Sequence, residues 1–111
     1  MKIKLSQKGG VTVLHCQGKV TIGVGDVALR EGVHEALNAG SKNILMDLAG
    51  VSTMDSSGIG ELVSAYTTVT NRGGRLKLLN LPAKVSDILQ ITQLITVFEI
   101  FDNEDEAIAS F

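Results

Sequence analysis

Residues 43 to 63, Asn43-Ile-Leu-Met-Asp-Leu-Ala-Gly-Val-Ser-Thr-Met-Asp-Ser-Ser-Gly-Ile-Gly-Glu-Leu-Val63, carry the change of hydrophobic period that decides the fold. Ile44, Leu45, Met46 and Leu48 form a short apolar run, the pattern of a strand covered on both faces. A polar break at Ser52 and Thr53 follows, and the period then changes. Ile59, Leu62, Val63, Tyr66 and Val69 recur at helical spacing and predict an amphipathic helix. Asp55, Ser56, Ser57 and Gly58 lie between the two. The first N–H groups of a helix lack intrahelical acceptors, and the helix dipole adds about half a positive charge there. Such an end accepts an anion, including a phosphate added to a hydroxyl. Ser56 or Ser57 also suits the commoner task of capping the helix.

Working outward, residues 2 to 6 alternate as an edge strand, and Lys8-Gly9-Gly10 reads as a hairpin turn. Val11 to Gln17 alternates again. His15 falls on the face of Val11 and Val13, while Thr12, Leu14 and Cys16 share the other. His15 has no partner at metal-ligand spacing and reads as a polar strand position. Gly18 to Ile22 continues the sheet or turns out of it, and Gly23-Val24-Gly25 is a break. Asp26 is placed to cap a helix whose Leu29, Val33, Ala36 and Leu37 form one face, with Gly40 as its stop. His34 is expected to face solvent.

Beyond the central segment, Asn71-Arg72-Gly73-Gly74 ends the second helix. Leu76, Leu78 and Leu79 predict a strand through Asn80, and Pro82 a helix first turn ahead of Val85, Ile88 and Leu89. Val97 to Phe101 reads as a last strand. Asp102 or Asn103 caps a final helix with Ala107, Ile108 and Phe111 inward. The expected architecture is a single α/β (α+β) domain over residues 1–111, a mixed four- to five-stranded sheet packed with about four helices.

One domain is what 111 residues support. The hydrophobic share of 44% and charged share of 20% fit a soluble globular protein, and 4% aromatic content makes the core aliphatic. A net charge of -2 without a basic cluster argues against nucleic acid as a direct partner. Cys16 is the single cysteine, so no intramolecular disulfide forms, and it reads as a small buried hydrophobe. With no signal core and no run approaching about 20 apolar residues, a cytoplasmic protein is expected.

Two enzymatic patterns fail on inspection. Gly23-x-Gly25-x-x-Ala28, with Asp47 ending the next strand, imitates a dinucleotide-binding fingerprint. The preceding strand is short and interrupted, and no room remains for a substrate domain. Met54-Asp55-Ser56-Ser57-Gly58 is not the G-x-S-x-G elbow of hydrolases, and no motif supports His15 or His34 as a base for Ser57.

Val51-Ser52-Thr53-Met54-Asp55-Ser56-Ser57-Gly58-Ile59-Gly60 resembles the phosphoacceptor loop of STAS-domain anti-sigma factor antagonists. Gly73-Gly74-Arg75-Leu76, Leu94-Ile95, Phe98 and Glu106-Ala107 extend the resemblance over nearly the whole chain. It implies that Ser57 is the serine phosphorylated and that Asp55 is the motif's acidic residue. Asp55, Ser56, Gly58, Ile59 and Gly60 would form the motif a partner reads. Many antagonists carry an Asp where this chain has Thr21, after Gly18-Lys19-Val20. The implied partner is an anti-sigma factor that is also a serine kinase, opposed by a serine phosphatase. ATP and catalysis would belong to the partner, leaving this chain a non-enzymatic substrate without a cofactor. Gly58 and Gly60 would let the partner approach closely. Ile59 and Val51 either supply the apolar part of the docking patch or join the core. The alternative within the same family is an unphosphorylated scaffold or ligand-binding module.

Overall fold

Gly9 and Gly10 take φ of 59° and 79°, the conformation of a two-residue hairpin turn that glycine adopts without strain. The turn sets β1 (Lys2–Lys8) antiparallel to β2 (Val11–Val20), with Lys8 opposite Val11. In the computed structural model, which describes residues 1–111, the chain continues through α1 (Gly25–Asn38), β3 (Asn43–Met54) and α2 (Ser56–Asn71). It ends with β4 (Arg75–Leu79), α3 (Ala83–Ile91), β5 (Ile100–Phe101) and α4 (Glu104–Ala109). The sheet order follows the chain, β1 to β5, and every pair after the hairpin is parallel. The expected mixed sheet is therefore five-stranded, with four α-helices.

Strand alternation divides the core. Leu14 and Cys16 of β2, Met46 and Leu48 of β3, and Leu76 and Leu78 of β4 face a cluster of 21 buried residues supplied also by α1, α2 and α3. Val11, Val13, Leu45 and Leu79 face the other side, where Ala107 of α4 closes a cluster of five. The period-two reading of Val11 to Gln17 holds, as does the buried stripe of Leu29, Val33, Ala36 and Leu37. Burial, with the Asp47 carboxylate adding to it, pushes the Cys16 thiol up to about 12, so no thiolate chemistry is expected there.

Several boundaries move. β3 does not stop at Ser52 and Thr53 but runs through Met54, because Val51 and Met54 are buried and still pair with Gly18 and Val20. Asp26 lies inside the first turn of α1, not at its cap, and its Oδ1 accepts from the Gly23 and Val27 N–H groups at 2.9 and 2.8 Å. Pro82 sits just ahead of α3 with extended ψ of 154°, not in its first turn. Only Ile100 and Phe101 of the expected last strand pair with β4; Val97 lies in a turn after the 3₁₀ segment Leu94–Thr96, and Phe98 bends into the core. His34 is half-buried along the α1–α2 seam with Arg30 and Glu61, not free in solvent.

The α4 face holds one group the hydrophobic pattern did not announce. Lys77 is 5% exposed, and its Nζ donates to Ser110 O and Oγ at 2.8 and 2.9 Å while pairing with Glu99 at 2.7 Å. Its ammonium lies 4.8 Å from the Phe111 ring centre. These partners satisfy the buried charge and hold the C-terminal helix against β4.

Candidate functional site at the start of α2

One residue, Asp55, separates β3 from α2, and it is the helix cap. Its Oδ1 accepts from the Gly58 N–H at 2.9 Å, and its Oδ2 accepts from the Ile22 N–H at 3.0 Å. Its own N–H donates to Val20 O at 3.3 Å. One carboxylate therefore fixes the helix start and ties it to the loop leaving β2. These N–H groups, Gly58 first and Ile22 second, hold the Asp55 carboxyl below its ordinary value. A depressed carboxyl contributes stability above its unfolded value of 3.8, and that contribution is lost as pH falls through the folded value. Asp55→Ala is accordingly expected to melt below the wild type at neutral pH, with the gap closing in acid below pH 3.8, as followed by circular dichroism.

Because Asp55 takes the cap, Ser56 and Ser57 are the first and second helical residues and neither caps. Ser56 is exposed and Ser57 half-buried. Neither hydroxyl is drawn into the hydrogen bonding of the helix start, which the Asp55 carboxylate supplies. Ser57 therefore sits at the positive end of a 16-residue helix with its hydroxyl uncommitted.

The glycines of the motif differ. A Cβ at Gly58 would run into the Val20 carbonyl oxygen and approach Met54 Cγ to 2.7 Å, so this glycine serves the packing of α2 on β2. A Cβ at Gly60 meets nothing within 4 Å. The fold does not require Gly60. Gly60→Ala is expected to stabilise the isolated protein by about 0.5–1 kcal/mol, read from denaturant unfolding, since alanine costs less in a helix.

Ile59 and Val51 are 6% and 3% exposed and belong to the core, so neither forms an apolar docking patch on the free chain. The apolar surface at this site is instead Ile22 and Val24, 75% and 71% exposed, in the loop that Asp55 holds. The sequence pattern places Ile22 at the end of the segment leaving the sheet and Val24 in the glycine break, and marks neither as a surface. The available signal was two branched apolar residues in a loop with no partner at strand or helix spacing. Thr21 precedes Ile22 directly, and its carbonyl accepts from the Asp26 N–H at 3.1 Å.

The competing patterns also acquire positions. A Cβ at Gly25 would collide with the Lys19 carbonyl, so that glycine serves helix–strand packing. Asp47 does not end a strand: it lies within β3 and accepts from His15. His15 stands on the α4 side of the sheet, away from the α2 side.

The STAS domain family profile matches residues 2–107. The Anti-sigma F factor antagonist of Paenibacillus polymyxa is 25% identical over 109 residues, 97% of this chain and 92% of that protein. A Thermotoga maritima crystal structure, assigned provisionally as an anti-sigma factor antagonist, has a TM-score of 0.88 at 24% identity, covering 97% of this chain and 92% of the other. The phosphorylated form of the Bacillus cell fate determinant SpoIIAA has a TM-score of 0.74 at 22% identity, covering 98% of each chain. No helix is long and apolar enough to cross a membrane. With its sheet order, its helix-start loop and the profile match in agreement, the chain belongs to the STAS domain family.

Proposed function

We propose that this chain is an anti-sigma factor antagonist that works by partner switching in the cytoplasm. Unphosphorylated, the start of α2 and the loop from Thr21 to Gly25 dock an anti-sigma factor and pull it from its sigma factor. That partner is a serine kinase; it binds ATP and phosphorylates Ser57, and a serine phosphatase restores the hydroxyl. The chain itself is a substrate and carries no catalytic group for this reaction.

The observation that carries this reading is the placement of Ser57. Its hydroxyl is uncommitted, at the positive end of α2, and the Asp55 cap ties that end to the loop exposing Ile22 and Val24. An apolar surface lets a partner dock by burying Ile22 and Val24. A charge appearing at its edge then opposes that docking. Asp55 adds a negative charge to the same edge while anchoring the loop.

The test incubates the protein with candidate anti-sigma kinases and ATP and maps the phosphate by mass spectrometry. Phosphate on Ser57, abolished in Ser57→Ala and retained in Ser56→Ala, supports the assignment. Normal labelling of Ser57→Ala overturns it. A kinase that captures the protein without phosphorylating it would favour the scaffold alternative.

A further inference from the structure

On the sheet face turned away from α2, three side chains from adjacent strands form a hydrogen-bonded line. His15 Nδ1 lies 3.0 Å from Asp47 Oδ2, and His15 Nε2 lies 3.1 Å from Ser6 Oγ. A carboxylate accepts, so Nδ1–H is the donor to Asp47, and in that tautomer of the imidazole Nε2 is the acceptor for the Ser6 hydroxyl. Asp47 is itself held, since its Oδ1 accepts from the Ala49 N–H at 3.1 Å and from Asn80 Nδ2 at 3.4 Å. This is the relation of nucleophile, base and orienting acid found in hydrolytic triads.

The line is open to solutes. Ser6 is exposed, and the His15 and Asp47 side chains are 35% and 18% exposed. Beside it lies a concavity of about 550 Å³ lined by Lys2, Ile3, Lys4, His15 and Gln17. Lys4 stands opposite His15 in the β1–β2 register, and Lys2 opposite Gln17. Lys2 and Lys4 therefore border the space next to the imidazole. α4 packs on Val11, Val13, Leu45 and Leu79 and leaves this end of the sheet uncovered.

We propose that Ser6 is a nucleophile activated by His15 and positioned by Asp47, accepting acyl groups from small esters that carry a carboxylate. Lys2 and Lys4 hold that carboxylate and offset the charge developing on the ester oxygen. The Ser6 proton passes to His15 Nε2 as Oγ forms a bond to the acyl carbon. The ester C–O bond breaks, and the leaving oxygen takes the proton from His15. Water then follows the same path: His15 takes its proton, the Ser6 ester breaks, and the proton returns to Oγ.

The test treats the folded protein with 4-nitrophenyl acetate, with the 4-nitrophenyl monoester of succinic acid, and with a fluorophosphonate probe, locating each adduct by peptide mass spectrometry. Ser52 and Ser56 are exposed and neither hydroxyl is hydrogen-bonded to a histidine, so they are references within the same molecule. Ser6 is expected to react about 100-fold faster than either, the lower range of general-base assistance. Asp47→Asn and His15→Gln should bring Ser6 toward the reference rate. The succinyl ester should outrun the acetyl ester, with the preference lost in Lys4→Ala. Reaction of Ser6 no faster than Ser56 overturns the proposal and leaves the line as a stitch between strands, a result that needs only the wild-type protein. Equal rates for the two esters overturn the assigned substrate class.

Discussion

Phosphorylation of Ser57 is expected to weaken binding of the anti-sigma factor by a hundredfold to a thousandfold, measured by titration calorimetry on modified and unmodified protein. That ratio corresponds to about 3–4 kcal/mol. The modification adds about −1.5 to −2 charges at pH 7. On the free protein the charge faces the start of α2, where the dipole favours it. In a complex the same charge must lose water against the partner, beside the apolar Ile22 and Val24 and the Asp55 carboxylate. The difference between these settings sets the size of the effect. Asp55 already takes the Gly58 N–H, so a phosphate finds only the remaining donors of the first turn and meets a like charge there. Repulsion between that phosphate and the Asp55 carboxylate would loosen the Ile22 N–H bond and with it the loop that presents the apolar pair. Ser57→Ala should bind like the unmodified protein, and Ser57→Glu should fall between it and the phosphorylated form. Equal affinity of all three removes the switch, even if Ser57 is labelled.

Much of this site was legible in the residues because its components are local. The change from strand period to helix period around Asp55 located the helix start, and the serines followed from it. What could not be read were roles set by contacts distant in sequence. The tie that Asp55 Oδ2 makes to the loop leaving β2 depends on Ile22, 33 residues earlier. The burial of Ile59 and Val51 depends on how α2 lies across the sheet, since an apolar residue at a motif's edge suits core and surface equally. Lys77 sits in the period-two pattern where a solvent-facing residue would, and only α4 returning over the sheet buries it. The Ser6, His15 and Asp47 line is spread over three strands whose register no local pattern states. The last strand contracted to two residues because Val97 turns and Phe98 bends into the core against Tyr66 before the chain reaches β4.

The second large effect falls on the glycines of the motif, where two similar positions should respond in opposite directions. Gly58→Ala is expected to destabilise the protein by about 3 kcal/mol, the upper range of overpacking, and to lower the melting temperature by about 10–20 °C. The added methyl would strike the Val20 carbonyl, with Val20 Cγ1 at 2.9 Å and Met54 Cγ at 2.7 Å on either side. Met54 can turn aside, but the carbonyl belongs to Val20 of β2, which pairs with Met54 of β3 and accepts from the Asp55 N–H. Relief therefore requires the first turn of α2 to lift from the strand. That movement would also strain the Asp55 bonds to Gly58 and Ile22 and displace Ser57. Met54→Ala in the same chain should recover little, because the backbone collision remains. Gly60→Ala, two residues on and facing open space, should leave the fold intact or firmer, so a loss of phosphorylation there would report the partner's approach alone. If Gly58→Ala melts with the wild type, the close seating of α2 on β2 is wrong, and the geometry assigned to Ser57 goes with it.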